Sequence, residues 1–205
     1  MELPMKMVVF FQISRRMFAD FRLILNPQMS NIKKTMPELD RLSAKDFKET
    51  DKIPLTILLD DVRSMHNVGS VFRSADSFLV EKIYLCGYTP APPHRDIHKT
   101  ALGATETVSW QWEKDILTCL QTLKKEQYKI YAIEQVHNSI MMNQFVPDKL
   151  QKTALIFGNE VNGVSQQAID LCDACIEIPQ LGSKHSLNIS VSAGIVLWHW
   201  AKEYL

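Results

Sequence analysis

The stretch 55-LTILLDDVRSMHNVGSVFRSADSFL-79 decides the fold class. Its first seven residues, LTILLDD, form an apolar run of strand length. From His66 the period changes, and Val68, Val71, Phe72, Ala75 and Leu79 recur at helical spacing. A strand that feeds straight into a helix opens a βα unit. The chain then repeats the alternation: strands are expected over KIYLCG (82–87), TETVSW (105–110), YKIYAIEQ (128–135), TALIFG (153–158) and CIEIP (175–179). Helices are expected over DILTCLQTLKKE (115–126) and from Ser186 to Tyr204. This pattern predicts an α/β fold with a mostly parallel sheet of five to six strands covered by helices.

Composition bounds the remainder. The 205 residues are 46% hydrophobic and 22% charged, enough for one full core. A net charge of +0 excludes a global field toward nucleic acid or membrane, so a polyanion has to be held by a local patch. Four scattered cysteines, Cys86, Cys119, Cys172 and Cys175, do not make a disulfide framework and fit a reducing compartment. The apolar run from Met7 to Ile13, followed by Arg15 and Arg16, is too short to span a bilayer and has no small-residue cleavage site. Three readings stay open for it: an amphipathic helix packed on the domain, an organelle presequence, or residues upstream of a start at Met29 or Met36. Ser43 is expected to cap a short helix that ends before Pro54.

In open α/β sheets, ligands bind beyond the carboxyl ends of the strands. Three segments there carry the residue types that chemistry needs, and none contains GxGxxG or GxxxxGK[ST], so dinucleotide and triphosphate readings lose their support. In 66-HNVGSVFRSAD-76, Arg73 lies off the apolar stripe; it is either paired with Asp76 or free to act, while Asn67 is expected as the helix N-cap. In 157-FGNEVNGVS-165, Gly158 and Gly163 allow close approach around the carboxylate of Glu160, and Ser165 is expected to cap the next helix. In 178-IPQLGSKHSLNISVSAG-194, a loop meets a helix start at Ser186-Leu187-Asn188 whose amides suit an anionic group. That last helix is apolar on nearly every side, as expected of one buried against the domain and a partner chain.

Together, Asn67-x5-Arg73, FGNEVNGVS and IPQLGSKHSLNISVSAG resemble the three motifs of the SpoU, or TrmH-like, RNA 2'-O-ribose methyltransferases of the SPOUT class, in order and spacing over residues 54–205. The resemblance implies a C-terminal deep trefoil knot, S-adenosyl-L-methionine as cofactor, tRNA or rRNA as substrate with tRNA placed ahead, a homodimer through the C-terminal helix, no membrane, and a cytoplasmic location. It implies catalytic roles for Arg73, Asn67, Glu160, Ser186 and Asn188, cofactor contacts from Gly158, Ile178, Leu187 and Ser186, and no metal. Residues 1–52 would be an extension of short helices, in part disordered, and 53–205 the catalytic domain. Leu79 departs from the glycine the family often carries there, and no basic C-terminal extension is present.

His94 and His98 stand at a metal-capable i,i+4 spacing without a third ligand in reach, and with Arg95 and Lys99 they suit a surface facing RNA. Cys172-Asp-Ala-Cys175 is a lone CxxC better suited to packing. His137 and His199 are expected to be structural or solvated.

Overall fold

A computed structural model describes residues 31–205. The Met7 to Ile13 run and the candidate start at Met29 lie outside the described residues. Of two units, the smaller is described from residue 31 to Arg41 and the larger is Leu42–Leu205. The described part of the first holds a 3₁₀ turn, Pro37–Leu39, where Glu38 accepts from the Thr35 N–H and hydroxyl, both at 2.7 Å. The larger unit begins inside the stretch 1–52 and opens with α1 (Ala44–Glu49), capped by Ser43 as expected, whose Phe47 is buried in the core.

The strands are β1 (Ile53–Asp60), β2 (Val80–Cys86), β3 (Ser109–Glu113), β4 (Lys129–Ile133), β5 (Ile140–Met141), β6 (Thr153–Phe157) and β7 (Ala174–Glu177). They form one sheet in the order β3-β2-β1-β6-β4-β7-β5, every pair parallel. Seven strands replace the expected five to six. The added one, β5, is only two residues long, below what a periodicity can register.

Between them run α2 (Met65–Ser77), α3 (Arg95–Ala101), α4 (Ala104–Thr107), α5 (Ile116–Lys125) and α6 (Gln166–Ile169), and α7 (Ile189–Ala201) follows the last strand. The period-2 pleat sorts the core. Ile57 and Leu59 of β1, with Leu155 and Phe157 of β6, join Val68, Val71, Phe72 and Ala75 of α2 and Ala193, Val196, Leu197 and Trp200 of α7. Leu58, Ala154 and Ile156 point the other way, onto Ile116, Leu120 and Leu123 of α5 and Ala168 of α6. Both faces of the sheet are thus covered, which is why β1 and β6 read as unbroken apolar runs.

Several expectations are corrected. TETVSW is not a strand: 104–107 make the short helix α4, and the strand begins at Ser109. The cap of α2 is Ser64, whose hydroxyl accepts from the Asn67 N–H at 3.3 Å, so Asn67 sits inside the first turn. The last helix starts at Ile189 with Asn188 as its cap, leaving Ser186 and Leu187 in the preceding loop. Ser165 precedes α6 but makes no side-chain cap; its hydroxyl donates to Asp60. Leu79 adopts a left-handed φ of +52°, so the backbone takes the conformation for which glycine is the usual choice.

Candidate active site

Because β1 leads outward to β2 and β3 while β6 begins the other half of the sheet, the strand order reverses between β1 and β6. The crevice beyond their carboxyl ends is where such a sheet can hold a ligand. Both loops that leave those ends are tied to each other. Asn159 donates from its side-chain amide to the Asp61 carbonyl at 2.7 Å. Asp60, buried at the end of β1, accepts from the Ser165 N–H at 3.1 Å and its hydroxyl at 2.9 Å. Burial pushes the Asp60 carboxyl above its ordinary value, against the two Ser165 bonds that lower it.

The turn after β6 explains both of its glycines. Asn159 and Gly163 exchange backbone hydrogen bonds at 2.9 Å in each direction, folding residues 159–163 into a tight loop. A Cβ on Gly158 would lie 2.0 Å from the Gly163 carbonyl carbon and 2.1 Å from the Val164 nitrogen, both backbone atoms. Gly163 itself has φ +67° and faces the Glu134 carboxylate, which accepts from the Val164 N–H at 2.9 Å.

Glu160, at the tip of this turn, reaches across to the start of α2. It accepts from the N–H groups of Arg63 at 3.1 Å and Ser64 at 3.2 Å, and from the Asn67 side-chain amide at 2.9 Å. Partial burial works to raise its carboxyl, but the Asn67 amide and the backbone donors outweigh it and hold the group below the ordinary carboxylate value. The other end of the Asn67 amide accepts from Asn188 Nδ2 at 3.1 Å. Asn188 Oδ1 in turn takes the Ser190 N–H at 2.9 Å, capping α7. The three sequence segments therefore converge in one hydrogen-bonded chain, Glu160 to Asn67 to Asn188.

Beside this chain lies a cavity of about 540 Å³, lined by the ends of β4, β6 and β7, the 158–163 turn and the loop before α7. Gly158, Glu160, Ile178, Ser186, Leu187 and Asn188 all border it. Between Gln180 and Leu187, the His185 carbonyl is the one backbone group with a hydrogen-bond partner among the described residues, accepting from Gln135 Nε2 at 2.8 Å. The backbone groups of Gln180, Ser186 and Leu187, which line the cavity, are thus without protein partners among the described residues. Arg73 is not brought there. It lies six residues beyond Asn67 in α2, ~120° around the helix, exposed, with no side-chain partner among the described residues. Asp76 is taken by Thr107 rather than by Arg73.

Sequence reasoning missed Glu134, Gln135 and Asn159. A carboxylate at the carboxyl end of a covered strand, as in 131-YAIEQ-135, is the signal that could have found the first two. The remaining candidates fall outside the site. His94 caps α3 through its ring Nδ1, and no group of three metal-capable side chains occurs among the described residues. Burial pushes the Cys172 thiol up to about 12, and its sulfur donates to the Ala168 carbonyl. His199 is buried against the Phe145 carbonyl at 2.7 Å. No helix among the described residues is long and apolar enough to cross a membrane.

Known proteins resemble this chain in sequence and in fold. The 23S rRNA (guanosine-2'-O-)-methyltransferase RlmB of Blochmanniella floridana is 32% identical over 172 residues, covering 82% of this chain and 66% of that protein. RlmB of Neisseria meningitidis is 31% identical over 144 residues, 70% of this chain and 56% of its own. The tRNA (guanosine(18)-2'-O)-methyltransferase of Thermus thermophilus is 30% identical over 151 residues, covering 74% and 76%. The chain therefore spans two thirds or less of these two RlmB relatives and three quarters of this tRNA enzyme. Among solved structures, the TrmH/SpoU tRNA modifying enzyme of A. aeolicus shares the fold with a TM-score of 0.69 at 24% identity, covering 78% of this chain and 81% of that one. The AdoMet-bound rRNA methyltransferase of Sinorhizobium meliloti does so with a TM-score of 0.69 at 23% identity, covering 78% and 60%. The SpoU rRNA Methylase family matches residues 54–198, and the chain belongs to that family.

Proposed function

We propose that this protein transfers a methyl group from S-adenosyl-L-methionine to a ribose 2'-hydroxyl of tRNA or rRNA, in the cytoplasm and as a homodimer. The observation that carries the reading is the Glu160–Asn67–Asn188 chain bordering a cavity with open backbone groups. About 540 Å³ falls within the ~300–1,000 Å³ usual for small-ligand sites, and the missing Cβ at Gly158 lets the turn that borders it close on itself. Gly158, Ile178, Ser186 and Leu187 would hold the cofactor largely through backbone, and the C-terminal deep trefoil knot belongs to the same reading. S-adenosyl-L-methionine supplies an electrophilic methyl group when bound.

The chain's own residues would do the rest. A ribose hydroxyl needs in-line placement and relief of the charge that develops on its oxygen. Glu160 spends its oxygens on three N–H donors, so its part is to fix the first turn of α2 against the 158–163 turn. Asn67 and Asn188 pass that geometry to the cavity edge, with Ser186 beside them. Arg73, with the planar donor fork of a guanidinium, suits an RNA phosphate and the developing alkoxide. Its distance from the cavity around α2 fits a site completed across a dimer. Val191, Ile195 and Trp198 of α7 support that dimer: spaced i, i+4 and i+7, they leave an apolar stripe exposed at 50%, 36% and 51%.

A thermal shift with S-adenosyl-L-methionine, followed by tritiated methyl transfer to bulk RNA, tests the reading. Stabilisation together with ribose labelling is expected. A protein that neither shifts nor labels tRNA or rRNA would overturn it. Ribose-methylation maps from cells with and without the protein then identify the nucleotide.

A further inference from the structure

The loops that follow β1 and β2 are stitched into one platform with an exposed aromatic ring on top. Thr89, buried, donates its hydroxyl to the Leu59 carbonyl at 2.9 Å and accepts from the Val62 N–H at 3.0 Å. The Tyr88 N–H donates to Asp61 Oδ1 at 2.8 Å. Gly87, at φ +62°, donates its N–H to the Glu113 carbonyl at 2.9 Å, and its carbonyl accepts from the Trp112 indole at 3.2 Å. The N–H groups of Gly87, Tyr88 and Thr89 and the Gly87 carbonyl are all spent on holding this turn still. Yet the Tyr88 side chain is 80% exposed and packs on no other ring among the described residues.

A rigid backbone that displays an uncovered aromatic ring costs solvation without a packing gain inside the chain, so the ring points to something outside it. Its surroundings say what. Tyr88 borders a cleft of about 420 Å³ with Met65, Pro90 and Arg63. Arg63 is exposed and has no carboxylate partner among the described residues. Its backbone N–H is held by Glu160, so the guanidinium stands one residue from the catalytic hydrogen-bond chain. An aromatic face and a free guanidinium, side by side on a fixed support, match the two parts of a nucleotide: base and phosphate.

We infer that Tyr88 and Arg63 form a subsite for one unstacked nucleotide of single-stranded RNA, the base stacked on the Tyr88 ring over Met65 and Pro90 and its phosphate met by Arg63. The inference rests on the reading that the protein acts on RNA. It gives that activity a recognition element in the loop of an RNA, next to the reacting ribose, and requires no fixed base identity, because every base has a face to stack.

The probe is a short single-stranded RNA carrying 2-aminopurine, titrated into the full chain and its Tyr88→Ala, Tyr88→Phe and Arg63→Gln variants. Stacking is expected to quench the probe with the parent protein and with Tyr88→Phe. Tyr88→Ala should bind roughly 5- to 150-fold more weakly, the span of one base–aromatic stack. Arg63→Gln should lower the slope of log affinity against log salt by about 0.7, one single-strand phosphate contact. Calorimetry with S-adenosyl-L-methionine should give the same affinity for all four, showing each to be folded. Tyr88→Ala binding the probe as tightly as the parent would overturn the subsite, as would Tyr88→Ala converting a dimer to a monomer, which would make the ring a subunit contact. These outcomes are independent of methyl transfer, so a protein that stacks the probe but transfers nothing would count against the proposed activity and leave the subsite standing.

Discussion

Asn188 Nδ2 donates to Asn67 Oδ1 at 3.1 Å, joining the cap of the last helix to the first turn of α2 across 121 residues of chain. One residue serves as helix cap and tertiary tie at once. Asn67→Ala should lower stability by about 1 kcal/mol, and Asn188→Ala by about 1–2 kcal/mol because the cap is lost as well. The double variant should cost less than the sum, with a coupling of about 0.5 kcal/mol or more, read by urea denaturation of all four proteins.

Glu160 predicts a pH dependence with a defined sign. Its folded-state carboxyl titrates below the ordinary value of 4.5, so the stability it adds is fully present above that value and is lost as pH falls through the folded-state value. Glu160→Gln should unfold more easily than the parent at pH 7, by on the order of 1 kcal/mol given the solvent around the group. The two should converge as pH falls through the folded-state value. Denaturant midpoints taken from pH 7 down to pH 3 check it; parallel curves throughout would contradict the carboxylate's role.

Gly158→Ala places a methyl group 2.0 Å from backbone that cannot rotate away. The 158–163 turn must open, costing on the order of 1–3 kcal/mol. A fall in Tm with at least a tenfold loss of S-adenosyl-L-methionine affinity by calorimetry is expected, since the same turn borders the cavity.

Arg73→Ala should leave stability within about 0.5 kcal/mol, because the side chain is exposed and unpartnered among the described residues. Methyl transfer should nevertheless vanish while cofactor affinity stays within a few-fold. Loss of cofactor binding with an intact fold would move Arg73 to the cofactor side.

Val191→Lys puts a charge in the middle of the exposed stripe of α7. Sedimentation should find the parent dimeric at micromolar concentration and this variant monomeric, with an unchanged circular dichroism spectrum.

The covered strands and the converging motifs were legible for a common reason. β1 and β6 are buried on both faces, so LTILL and TALIF are apolar but for the buried threonines Thr56 and Thr153 and carry no charge, and Gly158 is required by an approach of backbone to backbone that no other residue permits. Legibility failed where tertiary bonds chose between equivalent residues. Ser64 and Asn67 are both good caps three residues apart; Ser64 caps because the Asn67 amide is committed to Glu160 and Asn188. TETVSW alternates like a strand, yet Thr107 is drawn to Asp76 of α2 and the segment closes into a helical turn. Arg73 was placed off the apolar stripe correctly, but a single chain's periodicity holds no information about which molecule it faces.

The strand order also sets a timetable. β1 lies between β2, which follows it within a few dozen residues, and β6, whose last residue, Phe157, emerges almost a hundred residues after Asp60. A ribosome therefore releases a half-sheet, β1 to β3, whose inner border is its most apolar strand and whose partner has not yet been made. Until Phe157 is synthesised, that border lacks its native partner, and the interval is when it is most open to mispairing.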